Sequence, residues 1–280
     1  MAQQRRTATV VGAILGTVFA LLVAVAEGRA EVTEEFHQTY ALNPGGSVEL
    51  HNVNGNVRVT AWDRNEVKVD AMKSAHTKER VDEARIVVEA TGNRISIKTE
   101  YPEHDLTFSD ENVNNPAIVE YTLMVPRGAR LDRIEVVNGG LEIADVTGEV
   151  RASCVNGKLT AKNLAGDSHL SSVNSGVEAN FVRVPSQLVL KSVNGTVELT
   201  VPSDVNAEVS AKTVNGAIDN DFGLHVHHGR YVGHDLRGQI GNGGAHIDLE
   251  NVNGIIDLRH ASDGKRMNPV KSFTQGDDEI

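Results

Sequence analysis

The sequence predicts an all-β protein whose main body is a parallel β-solenoid with Val-Asn-Gly at its corners. The tripeptide occurs six times in 280 residues, beginning at Val53, Val137, Val155, Val193, Val214 and Val252, with a near-copy at Val173-Asn174-Ser175-Gly176. Gly139, Gly148, Gly157 and Gly166 fall nine residues apart; Val137, Val155 and Val173 fall eighteen apart, then come steps of 20 and 21 to Val193 and Val214. A fixed period of this size marks a repeat architecture. Between the turns apolar residues alternate, as in strands with one buried face.

The chain opens with Arg5 and Arg6 before a charge-free run from Thr7 to Ala26. A basic start, an apolar middle and the small-residue site Ala24-Val25-Ala26 make residues 1–26 a secretory signal peptide or, uncleaved, an N-terminal membrane anchor through residues 7–26. Both outcomes place the protein outside the cytoplasm, in the periplasm or at the cell surface. Residues 27–46 read as a linker and first strand. Residues 47–130 form an N-terminal β-rich part, because "SVELHNVNGNVRVTAW", "NEVKVDAM" and "NRISIKTE" alternate. Its one helix is expected over Thr77 to Val87, where Val81, Ala84 and Ile86 make a weak apolar stripe. Residues 131–260 hold the regular repeats, and the aperiodic residues 261–280 read as a flexible tail.

The expected corners are Asn54-Gly55, Asn138-Gly139, Asn156-Gly157, Asn174, Asn194-Gly195, Asn215-Gly216 and Asn253-Gly254. Asparagine and glycine tolerate positive φ, and valine suits a pleated, half-buried position. Two layouts meet the beat. In an antiparallel meander or sandwich each Asn-Gly is a hairpin tip; in a solenoid each is one corner of a coil, and stacked asparagines bond along the axis as an amide ladder. The ladder explains why one residue recurs where any turn former would serve. The serine inserted at Asn174-Ser175-Gly176 is expected to distort its corner.

These corners and their surroundings, in particular "VELHNVNGNVRVTAWD", "VSAKTVNGAIDNDFGL" and "GQIGNGGAHIDLENVNGIIDL", resemble the "putative adhesin" domain family of bacterial envelope proteins over roughly Ser47 to Leu258. The resemblance implies a β-solenoid envelope protein with no catalytic residues to carry over. The partner it implies is an envelope or surface ligand, polysaccharide or protein.

Composition narrows the chemistry. A net charge of −11 with no basic stripe argues against nucleic acid. Cys154 is the only cysteine, so no internal disulfide, CxxC motif or cysteine-based zinc site exists. It alternates with Ala152 and reads as a small core residue. No cofactor is expected.

Two constellations compete with a non-enzymatic surface module, adhesive, structural or sensing. His225, His227, His228, His234 and His246 fall within 22 positions; His225 and His227 on one strand face, with His234 nearby, are candidate metal ligands. His246, Asp248 and Glu250 alternate along one strand, the best residues for a carbohydrate-active enzyme on a β-helix scaffold. An outward strand face is ordinarily charged, and the acids elsewhere are scattered, so a non-enzyme is expected. Gly241-Asn242-Gly243-Gly244 lacks the Lys-Ser/Thr and the following helix of a phosphate loop. The sequon Asn194-Gly195-Thr196 follows from the corner pattern.

Overall fold

A computed structural model describes residues 31–102, 116–229 and 233–273. The expected export segment, residues 1–26, lies outside the described residues. None of the described helices is long and apolar enough to cross a membrane.

The described chain is all-β, and its inward side chains form one hydrophobic core between two mixed sheets. Edge to edge, the first sheet runs Val32–Ala41, Glu66–Ala75, Ile118–Pro126, Val57–Trp62, Leu141–Ala144, Leu159–Leu164, Val177–Phe181, Val197–Val201, Ile256–His260 and Ile218–Asn220. The second runs Val226–His228, His234–Ile240, Ala207–Asn215, Ala245–Asn253, Gln187–Asn194, Ser168–Ser172, Val150–Asn156, Arg130–Asn138, Ser47–Asn54, Arg94–Glu100 and Arg85–Ala90. In both, the inner strands pair parallel; Val150–Asn156, for example, lies between Arg130–Asn138 and Ser168–Ser172. Antiparallel pairs close three of the four ends, among them Val32–Ala41 on Glu66–Ala75 and His234–Ile240 on Ala207–Asn215, while Ile218–Asn220 ends the first sheet parallel to Ile256–His260. A uniformly parallel solenoid is therefore not what the chain forms.

The alternating pattern places one side of the inner strands in the core. Leu141 and Ile143, Leu159 and Ala161, and Val177 and Ala179 stack in register in the first sheet. Leu188 and Leu190 face Ile247 and Leu249 in the second. Burying a Leu or Ile side chain stabilises by roughly 1.5–3 kcal/mol. Repeating it layer after layer lets a chain with few aromatic residues hold together without a disulfide.

Three expectations change. The helix is only Lys78–Glu83, capped by the Thr77 hydroxyl, and the chain returns to a strand at Arg85. Only Val81 and Ala84 are buried there. Lys73, buried beneath the helix, donates to the Val81 and Ala84 carbonyls and pairs with Glu34 at 2.7 Å, which fixes where the helix stops. The segment after Arg259 is not structureless throughout: Val270–Ser272 pairs with His234–Ile240, and Lys265 and Asn268 bind Asp204 and its neighbours. Third, the coil ending in Asn253 slots between those of Asn194 and Asn215, so stacking order departs from chain order.

Candidate functional site

Each Val-Asn-Gly carries the chain from one sheet to the other. The strands flanking it do not pair with each other: Arg130–Asn138 lies in the second sheet and Leu141–Ala144 in the first. Parallel register then brings Asn54, Asn138 and Asn156 side by side, and likewise Asn194, Asn253 and Asn215.

Their side chains form a continuous row. Asn215 Nδ2 donates to Asn253 Oδ1 at 2.9 Å, Asn253 to Asn194 at 2.8 Å, Asn194 to Asn174 at 3.2 Å, and Asn174 to Asn156 at 2.7 Å. Asn156 donates to Asn138 at 2.8 Å, and Asn138 to Asn54 at 2.9 Å. Asn174 keeps its place despite Ser175. The Asn54 amide meets Tyr101, whose hydroxyl donates to the Ala117 carbonyl; burial pushes that phenol up to about 12. Each amide polarises the next in such a chain.

Gly55, Gly139 and Gly254 have the expected positive φ, at 115°, 157° and 147°, and a second, steric requirement acts at all six corner glycines. No corner asparagine has positive φ, and among the described non-glycine residues only Asp145 and Asn163 do. What forbids a side chain is the adjacent coil. A Cβ on Gly157 would lie 2.0 Å from the Gly139 carbonyl oxygen, and one on Gly216 would lie 1.9 Å from that of Gly254.

A second row lies inside the corner, two residues before every asparagine but Asn138, where Val136 stands. Cys154 Sγ donates to Gly139 O, Ser172 Oγ to Gly157 O and Ser192 Oγ to Ser175 O. Asn251 Nδ2 and Thr213 Oγ1 do the same for Gly195 and Gly254, and Asn52 Nδ2 for Gly55. These small donors answer carbonyls that the glycines bring into close backbone contact. The role is legible in hindsight: positions 52, 154, 172, 192, 213 and 251 carry Asn, Cys, Ser, Ser, Thr and Asn, at alternation positions that otherwise hold aliphatic residues. Burial pushes the Cys154 thiol up to about 11, so it is a protonated donor at neutral pH.

Outside the amide row runs a row of valines. Val53, Val137 and Val155 are half-buried, while Val173, Val193, Val214 and Val252 are 39–48% exposed. Ile255 at 44% and Ile118 at 43% extend the same edge. Six of the eleven exposed large hydrophobic residues among the described residues thus fall on this one ridge. Seven rungs at ~4.8 Å make it about 29 Å long. Of the side chains immediately flanking the glycines, at positions 56, 140, 158, 176, 196, 217 and 255, only Lys158 is charged. An apolar, nearly uncharged strip on a chain of net charge −11 is the most distinctive surface feature of the molecule.

The other candidates do not gather into sites. His225 and His227 stack edge to face at 4.7 Å, and His227 Nε2 meets the Phe273 carbonyl. His228 and His234 make a separate pair across the hairpin, also at 4.7 Å. Among the described residues no three His, Cys, Asp or Glu side chains converge as metal ligands. His246, Asp248 and Glu250 line an outer sheet face, with His246 beside Glu208 at 3.4 Å and Glu250 paired to Lys191 at 2.9 Å.

Ser203, His260 and Asp263, which the sequence did not single out, do meet. Ser203 Oγ lies 3.1 Å from His260 Nδ1 and 2.7 Å from Asp263 Oδ1, and the hydroxyl holds the Asp263 carboxyl down to about 2. In a nucleophilic triad the histidine stands between serine and acid. Here the serine is in the middle and only 1% exposed, so the trio clamps a turn.

No family model matches the chain, and no curated protein does. Among solved structures it is similar to a "putative cell adhesion protein" from Clostridium sporogenes, with 13% identity, 82% of this chain and 100% of that one covered, and a TM-score of 0.37. It is also similar to a "putative adhesin" from Bacteroides fragilis, at 10% identity, 81% and 97% coverage and 0.32. A "putative lipid binding protein" from Parabacteroides distasonis stands at 11%, 83%, 97% and 0.29.

Proposed function

We propose that the chain is an exported, non-enzymatic envelope protein, a β-solenoid with antiparallel caps, whose Val-Asn-Gly ridge binds an extended ligand in the envelope or at the surface. One observation carries this reading: seven valines beside seven hydrogen-bonded amides, aligned along a single edge. Stacked repeats give a rigid, periodic surface suited to an elongated partner. Each ladder amide retains hydrogen-bonding capacity for a polar chain, while the valines supply apolar contact. Polysaccharide and protein are the two ligand classes such a strip serves. In this reading residues 1–26 direct export, residues 47–130 begin the stack, and residues 131–260 display the ridge.

Two experiments test it. A fusion of residues 1–35 to a reporter active only outside the cytoplasm is expected to give signal; activity confined to the cytosol overturns export. Purified protein is expected to bind isolated envelope material, and Val193→Asp with Val252→Asp to weaken that binding at least about tenfold with the fold intact. Unchanged binding by the folded double variant removes the ridge from the account.

A further inference from the structure

The asparagines of the row are chemically identical, but their surroundings are not. Asn-Gly is the dipeptide in which the following backbone nitrogen reaches the side-chain carbonyl most readily, since glycine presents no Cβ to hinder it. At four corners that nitrogen is occupied: Gly55 N–H donates to Asn138 O at 2.9 Å, Gly139 to Asn156 at 3.2 Å, Gly195 to Asn253 at 3.1 Å and Gly254 to Asn215 at 2.9 Å. Each donates one coil onward in the stack. Asn215 is the last rung, and among the described residues Gly216 N–H has no acceptor. Gly157 N–H has none either, next to the corner that Ser175 distorts.

The side chains divide the same way. Asn138, Asn156, Asn174, Asn194 and Asn253 each donate one amide bond and accept another. Turning any of their carboxamides toward the following nitrogen breaks two bonds. Asn54 accepts from Asn138 and meets Tyr101. Asn215 donates to Asn253, and among the described residues its Oδ1 accepts from no side chain, so turning it breaks one bond. Its side chain is exposed to water and hydroxide.

We propose that Asn215 is a site of spontaneous intramolecular modification, and that the ladder shields the other Asn-Gly corners from the same reaction. Hydroxide removes the Gly216 amide proton, and the nitrogen forms a bond to Asn215 Cγ. The Cγ–Nδ2 bond breaks, Nδ2 leaves as ammonia with a proton from water, and a five-membered succinimide remains. Water then opens either of its two C–N bonds, leaving aspartyl or isoaspartyl at position 215. No oxidant or reductant takes part. The product carries a carboxylate that cannot donate to Asn253 Oδ1. In the isoaspartyl form the added backbone methylene also displaces the carbonyl that Gly254 N–H binds. The reaction thus places a negative charge at one end of the uncharged ridge and releases its last rung.

The test is incubation of the folded full chain at mildly alkaline pH, with peptide mapping by mass spectrometry over time. Conversion at Asn215 is expected to run at least about tenfold faster than at Asn54, Asn138, Asn194 and Asn253, a ratio that one extra hydrogen bond to be broken supplies. Asn156, with a free Gly157 N–H but both amide bonds intact, is expected in between. In denaturing urea the six rates are expected to converge, since only folding separates them. Asn215→Gln, which would require a less favourable six-membered ring, is expected to abolish the fast phase and leave the others unchanged. Equal rates in the folded protein, any other corner converting first, or a fast phase that survives Asn215→Gln overturns the proposal.

Discussion

At the Val-Asn-Gly edge a Cβ on Gly157 would meet the Gly139 carbonyl oxygen at 2.0 Å; at the opposite edge one on Gly166 would meet that of Gly148 at 2.0 Å. Both edges therefore close by backbone packing against the neighbouring coil. They differ in what surrounds the contact. The first edge carries the outer row of amides along the whole stack and an inner row of donors interrupted only at Val136. The second has one side-chain pair of the outer kind, Asn163 Nδ2 to Asp145 Oδ1 at 3.1 Å, between two residues with φ of 55° and 63°, and scattered bonds to backbone such as Thr147 Oγ1 to the Arg127 carbonyl and Gln187 N–H to Asp167 Oδ1. The first edge crosses between sheets in two residues at every corner but that of Ser175, whereas the second uses the unequal stretches 145–149, 165–167, 182–186 and 202–206. The repeats of 20 and 21 residues contain the five-residue crossings 182–186 and 202–206, and those of eighteen contain 145–149 and the three-residue 165–167. The side-chain rows hold one edge constant while the other absorbs changes in length.

The largest effect that sharpens this contrast comes from filling a corner. Gly157→Ala is expected to cost about 2–3 kcal/mol, because backbone must move to admit the methyl group. Gly128→Ala, at a turn where a Cβ meets nothing within 4 Å, is expected to change stability by under about 0.5 kcal/mol. Urea unfolding of both variants measures the difference. Next comes the inner row: Ser172→Ala leaves the Gly157 carbonyl without its side-chain donor and is expected to cost about 1–3 kcal/mol. Ser172→Cys, which places the Cys154 solution one coil further on, should cost less. Equal losses would break the link between donation and stability.

The outer row contributes less per residue. Asn156→Ala removes two amide bonds at an exposed site and is expected to cost about 1 kcal/mol. Asn163→Gly loses one bond and relieves a positive φ, so a change within about 0.5 kcal/mol is expected by the same melts. If Asn163→Gly proved the more damaging, the two edges would not differ as described.

The smallest effect lies far from both edges. Hydrogen bonds donated to the Asp70 carboxylate first and the Glu35 carboxylate second raise the His37 pKa above its ordinary value. Its contribution is fully present below pH ~6.5 and lost as pH rises through the higher folded value. Proton NMR titration is expected to show that raised value fall back in Asp70→Asn, and the loss of stability on raising pH should shrink with it.

Strand identity, the corner glycines and the recurring asparagine were legible because each obeys a period the chain repeats. Only half of the reason for the glycines was: Gly55, Gly139 and Gly254 have the positive φ that Asn-Gly suggests, but all six also meet backbone eighteen or more residues away. The outward valines and the inner donors escaped for the same cause, since a residue's face at a corner depends on the coil beside it. Nor does any local signal place the Asn253 coil between those of Asn194 and Asn215, as that order is settled by the antiparallel hairpin that follows Asn215. Within the candidate sites, the histidines were counted correctly in sequence, but strand alternation splits them into two pairs. Ser203, His260 and Asp263 meet across 60 residues that no motif connects.

The central claim is that successive Val-Asn-Gly corners lie side by side on adjacent parallel strands. Asn138→Cys with Asn156→Cys, in a Cys154→Ser background that keeps an inner-row donor, tests it most directly. Adjacent strands put the two Cα atoms ~4.8 Å apart, within the ~4.4–6.8 Å that a disulfide accepts. Mild oxidation followed by mass spectrometry is expected to show an efficient intramolecular crosslink. Cysteines at positions 135 and 142, which a hairpin at Asn138-Gly139 would bring together, lie in different sheets and are expected to stay reduced. Ready oxidation of the second pair, with the first left reduced, would contradict the stacked corners and the amide row with them.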